Sequence, residues 1–76
     1  MKEDYEYIRK TYGVPAKTGG RIRYTYENTP KMGTIVACYG GTIGIKMDGE
    51  NHIGVYHPLW KIEYLDDNGK ELVKDN

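Results

Sequence analysis

From residue 21 onward the chain alternates. Ile22, Tyr24 and Tyr26 are interleaved with Arg21, Arg23 and Thr25, the period-two pattern of a strand with one wet face. Glu27-Asn28-Thr29-Pro30 reads as a turn-rich loop. The next segment, about 32–39, holds four consecutive apolar residues from Ile35 to Cys38, which predicts a centrally placed strand. Gly40-Gly41 turns the chain into a third strand, with Ile43, Ile45 and Met47 facing in and Thr42, Gly44, Lys46 and Asp48 facing out. Asp48-Gly49 is a hairpin signal. In the fourth strand Ile53 and Val55 are expected inward, and His52, Gly54 and Tyr56 outward. Pro58-Leu59-Trp60 predicts one tight helical turn, and Lys61–Leu65 a closing strand. Residues 66–69 then turn toward a last short strand at Glu71–Val73, followed by a frayed tail over 74–76.

Before residue 20 the period is helical. Tyr5, Ile8 and Tyr12 recur at spacings of three and four, which predicts an amphipathic helix over 3–12. Glu3, Asp4 and Glu6 suit its N-terminus, and Arg9 and Lys10 its C-terminus. Gly13 fits the position just past the end, and Pro15 forbids continuation. So short a helix is unstable alone and is expected to dock on the sheet, plugging one end or covering an open edge.

Strands, glycine turns and a proline turn in this order over 19–65 predict a mainly β fold, a small SH3-like five-stranded barrel with a short N-terminal α-helix. Gly20-Arg21-Ile22, Gly33-Thr34-Ile35, Asp48-Gly49 and His57-Pro58 through Ile62 and Leu65 carry the layout, which resembles KOW and Tudor-type small barrels. The KOW resemblance implies binding to RNA or ribosome-associated proteins; the Tudor resemblance implies an aromatic cage for methylated side chains. The segments 12–17 (Tyr-Gly-Val-Pro-Ala-Lys) and 56–60 (Tyr-His-Pro-Leu-Trp) are similar to small proteins of unknown function from bacteriophages and prophages. Gly20-Arg21-Ile22-Arg23, Gly33-Thr34-Ile35-Val36 and Ile53-Gly54-Val55-Tyr56 also resemble the type II dihydrofolate reductases, tetramers of SH3-like barrels around a shared pore. Their pore strand reads Val-Gln-Ile-Tyr, and a lysine late in the first strand supports it. Here the glutamine position is Gly54 and the lysine position Tyr24, with only Tyr56 retained. The resemblance implies a shared fold without the reductase chemistry.

Seventy-six residues allow one domain, 1–76. So short a chain buries only about 60% of the surface its unfolded form exposes. With no Phe, eight Tyr and Trp60 must carry much of the core, and Tyr suits a core lying close to water. Cys38, the only cysteine, excludes an internal disulfide and reads as an inert thiol in a strand. The chain has no hydrophobic run of membrane-spanning length, and its acidic, tyrosine-rich start does not read as a signal peptide, so a cytoplasmic protein is expected.

Nothing in the residues assembles an enzyme or calls for a cofactor. His52 and His57 are five apart, facing opposite sides of a regular strand, so they are not expected to chelate one metal. His57, before Pro58, is expected to hydrogen-bond within the turn. A Cys38–His57 nucleophilic pair lacks support because an apolar strand would raise the thiol's pKa. The glycines match no phosphate-loop or dinucleotide pattern.

What remains is a binding surface. The formal charge is zero but segregated: −2 over residues 1–8, +6 over 9–46 and −4 over 47–76. Arg21, Arg23 and Lys46 on wet strand faces, with Lys17 and Lys31 in flanking loops, could neutralise phosphates while Tyr39 or Tyr56 stacks on bases. The alternative is that carboxylates such as Glu50 and Glu63 pair with these arginines. Tyr24, Tyr26, Tyr56 and Trp60 could instead form an aromatic groove for a host protein, or an open sheet edge could pair with a second copy. The leading expectation is a nucleic-acid-binding module, probed by RNA or DNA, from a phage or mobile element; the alternative is a protein-binding or homo-oligomeric one.

Overall fold

The computed structural model describes residues 5–71. A helix, α1 (Tyr5–Tyr12), precedes five strands: β1 (Arg21–Tyr24), β2 (Lys31–Tyr39), β3 (Thr42–Met47), β4 (Gly54–Tyr56) and β5 (Ile62–Leu65). All pairings are antiparallel, in the order β4-β3-β2-β1-β5. The expected helix start at 3–4, the far end of the expected last strand and the tail over 74–76 lie outside the described residues. Of that strand, an isolated bridge from Leu65 to Glu71 lies within them.

The helix ends as its sequence predicts. Gly13 adopts φ 66° and donates its N–H to the Arg9 carbonyl at 2.9 Å, closing the last turn. Tyr5 and Ile8 are buried. Arg9 Nε donates to the Ala16 carbonyl at 2.8 Å, and the Tyr5 hydroxyl bonds Thr18 Oγ1 at 2.6 Å, so α1 is tied to the segment leading into β1.

Ile8, Ile22, Ile35, Ile43 and Ile45 have no exposed surface, and Met47, Ile62 and Tyr64 complete the centre of the core. The aliphatic residues of β3 face in as expected. Gly33 is needed between Ile22 and Met47, its partners in register. A Cβ there would stand 2.8 Å from Ile45 Cγ2 and 2.9 Å from Met47 Sδ. Five of the eight tyrosines serve the core: Tyr5 and Tyr64 are buried, and Tyr12, Tyr24 and Tyr56 pack against it. Cys38 is half-buried, its thiol donating to the Gly40 carbonyl at 3.7 Å.

Two expectations are corrected. The facing of the fourth strand is reversed: Tyr56 and Gly54 pair with Ile43 and Ile45, whose side chains face the core, so they share that inner face. Ile53 and Val55 consequently point outward and are 50% and 62% exposed. Nor does Lys61–Leu65 close a barrel. β5 pairs with β1, and β4, only three residues long, remains the opposite end of the sheet. The sheet nevertheless curls. Val36 is an extra residue in β2, since Ile35 pairs with Ile45 but Ala37 with Gly44, and such a bulge bends a strand. The curl brings Tyr24 of β1 to 5.2 Å, ring to ring, from Tyr56 of β4, although two strands separate them in the sheet. Among the described residues no helix is long and apolar enough to cross a membrane.

Candidate functional site

Of the residues singled out for phosphate contact, Arg21, Arg23 and Lys46 share the outer face, whereas Lys31 and Tyr56 lie on the inner one. Arg21, Thr34 and Lys46 lie in one row across β1, β2 and β3, and Arg23 occupies the same outer face. Both arginines are engaged. The Arg21 guanidinium donates to both Asp48 carboxylate oxygens, at 2.9 and 2.6 Å, and to Thr34 Oγ1 at 2.7 Å. Arg23 Nε donates to Glu63 Oε1 at 2.6 Å. The hydrogen bond from Arg21 holds the Asp48 carboxyl below its ordinary value, with nearby Lys46 adding to the effect. Lys46 is exposed. Lys17 lines a cavity of about 140 Å³ with Arg21, Tyr64, Asp66 and Asp67. Lys31 instead lies beside Tyr24 in register, between Glu27 at 3.4 Å and Glu50 at 3.6 Å. Tyr39 sits past the bulge at the far end of β2, its ring against Gly44.

The aromatic residues do converge. Tyr24 comes from β1, Tyr26 from the loop after it, Tyr56 from β4 and Trp60 from the turn between β4 and β5. Ring centroids lie 5.0 Å apart for Tyr26 and Trp60, 5.2 Å for Tyr24 and Tyr56, and 6.1 Å for Tyr24 with either Tyr26 or Trp60. Such tilted and offset contacts are favourable for aromatic pairs. At these separations the rings touch each other. They form a platform rather than a hollow cage. Tyr26 and Trp60 are its open part, 61% and 48% exposed.

Local chemistry holds the platform in place. His57 Nδ1 accepts the Leu59 N–H at 3.1 Å, as expected for the turn, and Trp60 N–H donates to the His57 carbonyl at 3.2 Å. The buried Tyr64 hydroxyl donates to the Pro58 carbonyl at 2.8 Å, and burial pushes its pKa up. Lys61 follows with φ 60°, a left-handed conformation uncommon outside glycine and asparagine. Its carbonyl accepts both the Thr25 N–H at 2.8 Å and Thr25 Oγ1 at 3.1 Å. This clasp joins the loop bearing Tyr26 to the turn bearing Trp60. Gly54 serves the platform as well: a Cβ there would stand 2.8 Å from Tyr56 Cε1.

Charges of both signs lie beside the platform, with exposed Lys61 directly after Trp60. Glu27 and Glu50 flank Lys31, and His52 Nε2 lies 3.3 Å from Glu50. Partial burial raises the Tyr24 hydroxyl first, followed by the neighbouring Tyr56 and Tyr26 hydroxyls and Glu27, while Lys31 opposes them. Sequence reasoning missed Asp48 as the partner of Arg21 and the Thr25 clasp; of the carboxylates it named, Glu63 pairs with Arg23, whereas Glu50 lies beside Lys31 instead of an arginine. The segregation of charge hinted at the ion pair, and no residue-type signal hinted at the clasp. Comparison with known proteins finds no matching family model, no matching curated protein and no matching solved structure.

Proposed function

We propose that the chain is a non-enzymatic, protein-binding module whose ligand lies across Tyr24, Tyr26, Tyr56 and Trp60. One observation carries the reading: four rings from two stretches of chain far apart in sequence, 24–26 and 56–60, meet, with the two outer ones half open to solvent. The architecture that supports it is a curled, open five-stranded antiparallel sheet, whose curl brings Tyr24 to Tyr56. Charge favours a protein segment over a nucleic acid here. Two carboxylates beside one lysine repel phosphates and attract a peptide with a basic residue next to its apolar one.

A second reading rests on Arg21, Arg23 and Lys46 sharing one face: they would contact a nucleic-acid backbone, with phosphates displacing Asp48 and Glu63. One titration separates the two. Fluorescence of Trp60, the single tryptophan, and amide shifts are followed against peptides pairing aromatic or proline residues with lysine or arginine, and against short RNA and DNA. The peptide reading expects salt-tolerant changes at Tyr26 and Trp60. Salt-sensitive shifts at Arg21, Arg23 and Lys46 with oligonucleotides, and none with peptides, would overturn it.

A further inference from the structure

The turn that carries Trp60 is closed by a histidine. Asparagine and aspartate commonly bond their own backbone two residues on, which shapes tight turns. His57 performs that task here. Its Nδ1 accepts the Leu59 N–H at 3.1 Å, and its carbonyl accepts the Trp60 N–H at 3.2 Å. Tyr12 of α1 meets the imidazole in an edge contact, with ring centroids 5.0 Å apart. A ring nitrogen accepts a hydrogen bond only while it carries no proton, so the bonded imidazole is neutral, with its hydrogen on Nε2. Protonation makes Nδ1 a donor that faces another donor. Asparagine would close the same turn at any pH, whereas histidine closes it only when uncharged.

The groups around the ring do not replace the lost bond. Tyr12 can attract an imidazolium through its ring but offers Leu59 no acceptor. On β5 the Tyr64 hydroxyl is committed to the Pro58 carbonyl, and Lys61 in the same turn is itself cationic. Among the described residues no carboxylate lies within ion-pair distance of His57. His52 is the opposite case: Glu50 lies 3.3 Å from its Nε2, so protonation there gains a partner. We infer that His57 is a proton-operated latch on the aromatic platform. Neutral, it closes the turn over 57–60 and seats Trp60 against Tyr26; protonated, it releases Leu59 and loosens the indole from the other rings. Histidine is the side chain whose charge ordinarily changes between about pH 5 and 8, and His57 is exposed to the solvent that supplies the proton. One net hydrogen bond shifts such an equilibrium about two- to tenfold. The latch concerns the arrangement of the rings, so it stands independently of what the platform binds.

Amide and ring chemical shifts of the full chain, recorded without ligand from about pH 8 down to about pH 5, test it. The Leu59 amide and Trp60 indole signals should move with the His57 ring signals at one common midpoint. Nuclear Overhauser contacts between Tyr26 and Trp60 should weaken over the same range. H57N keeps an acceptor at the position and should hold the turn and the contacts constant. H52Q should leave the response intact. A Leu59 amide that stays still, or moves without Trp60, overturns the proposal. So does a response that persists in H57N or vanishes in H52Q. Should H57N fail to fold, the ring nitrogen shifts of His57 in the unmodified chain carry the test. A neutral ring with bare Nδ1, protonating as Trp60 moves, supports the latch; a proton on Nδ1 of the neutral ring overturns it.

Discussion

Ile22 and Tyr24 stand two residues apart on β1 and face the same side of the sheet, yet their surroundings differ sharply. Ile22 lies between Gly33 and Tyr64 in register and has no exposed surface. Tyr24 lies between Lys31 and Ile62 and is only half-buried, its remaining neighbours being other aromatic rings. One stretch of the inner face is sealed by isoleucines. The next runs out of cover and continues to the surface as tyrosine and tryptophan. Small size explains the boundary: seventy-six residues cannot close an apolar interior on all sides. Tyrosine lets the exposed end remain wet, and a wet aromatic surface can then be used for binding. If the sealed stretch serves stability and the open one the proposed binding, substitutions in the two should separate these properties.

The strongest way to break that contrast is to hollow out the sealed stretch. Ile45→Ala should cost about 2–5 kcal/mol, read as a fall in the denaturant midpoint, because a fully buried aliphatic leaves a cavity. Gly33→Ala should follow at about 1–3 kcal/mol, since the new methyl meets the Lys46 carbonyl as well as Ile45 and Met47. A cost as large for Trp60→Ala would mean the platform is core after all. The expected loss there is about 1 kcal/mol, from its ring contacts, while the peptide response disappears.

The smallest effect concerns the charge-paired outer face. Because Arg21 depresses the Asp48 carboxyl, Asp48 contributes stability that is present above its ordinary value of 3.8 and is lost as pH falls through the lower folded value. Asp48→Asn should flatten this acid limb in a pH series of thermal melts. Stability near neutrality should shift little, since the pair is exposed. An unchanged acid limb would show that the pair is too loosely held to couple to folding.

Much of the fold was legible because the signals are local. The helix stop at Gly13, the Gly40-Gly41 and Asp48-Gly49 turns and the inward face of β3 each depend on neighbours in sequence. So does the His57 bond within its turn. The aromatic quartet could be named because tyrosine and tryptophan in a small chain have few roles. What stayed hidden depends on register between strands. Ile53-x-Val55 reads as an inward pair, and only the alignment of Tyr56 with Ile43 reverses it. Asp48 reads as a hairpin residue, and its bond to Arg21 exists because the row that joins Arg21 to Lys46 runs beside it. The left-handed Lys61 carries no signal at all in its residue type.

Val36 has a consequence for how such a sheet can change over generations. Because it is the supernumerary residue in β2, deleting its codon would leave Ile35 and Cys38 on the inside and Ala37 and Tyr39 on the outside. The inside–outside code would survive intact while the bend disappeared. Tyr24 and Tyr56 would then move apart without either residue being altered. Shape and side-chain pattern are encoded separately here, so a lineage could lose or regain its aromatic platform through a three-nucleotide indel.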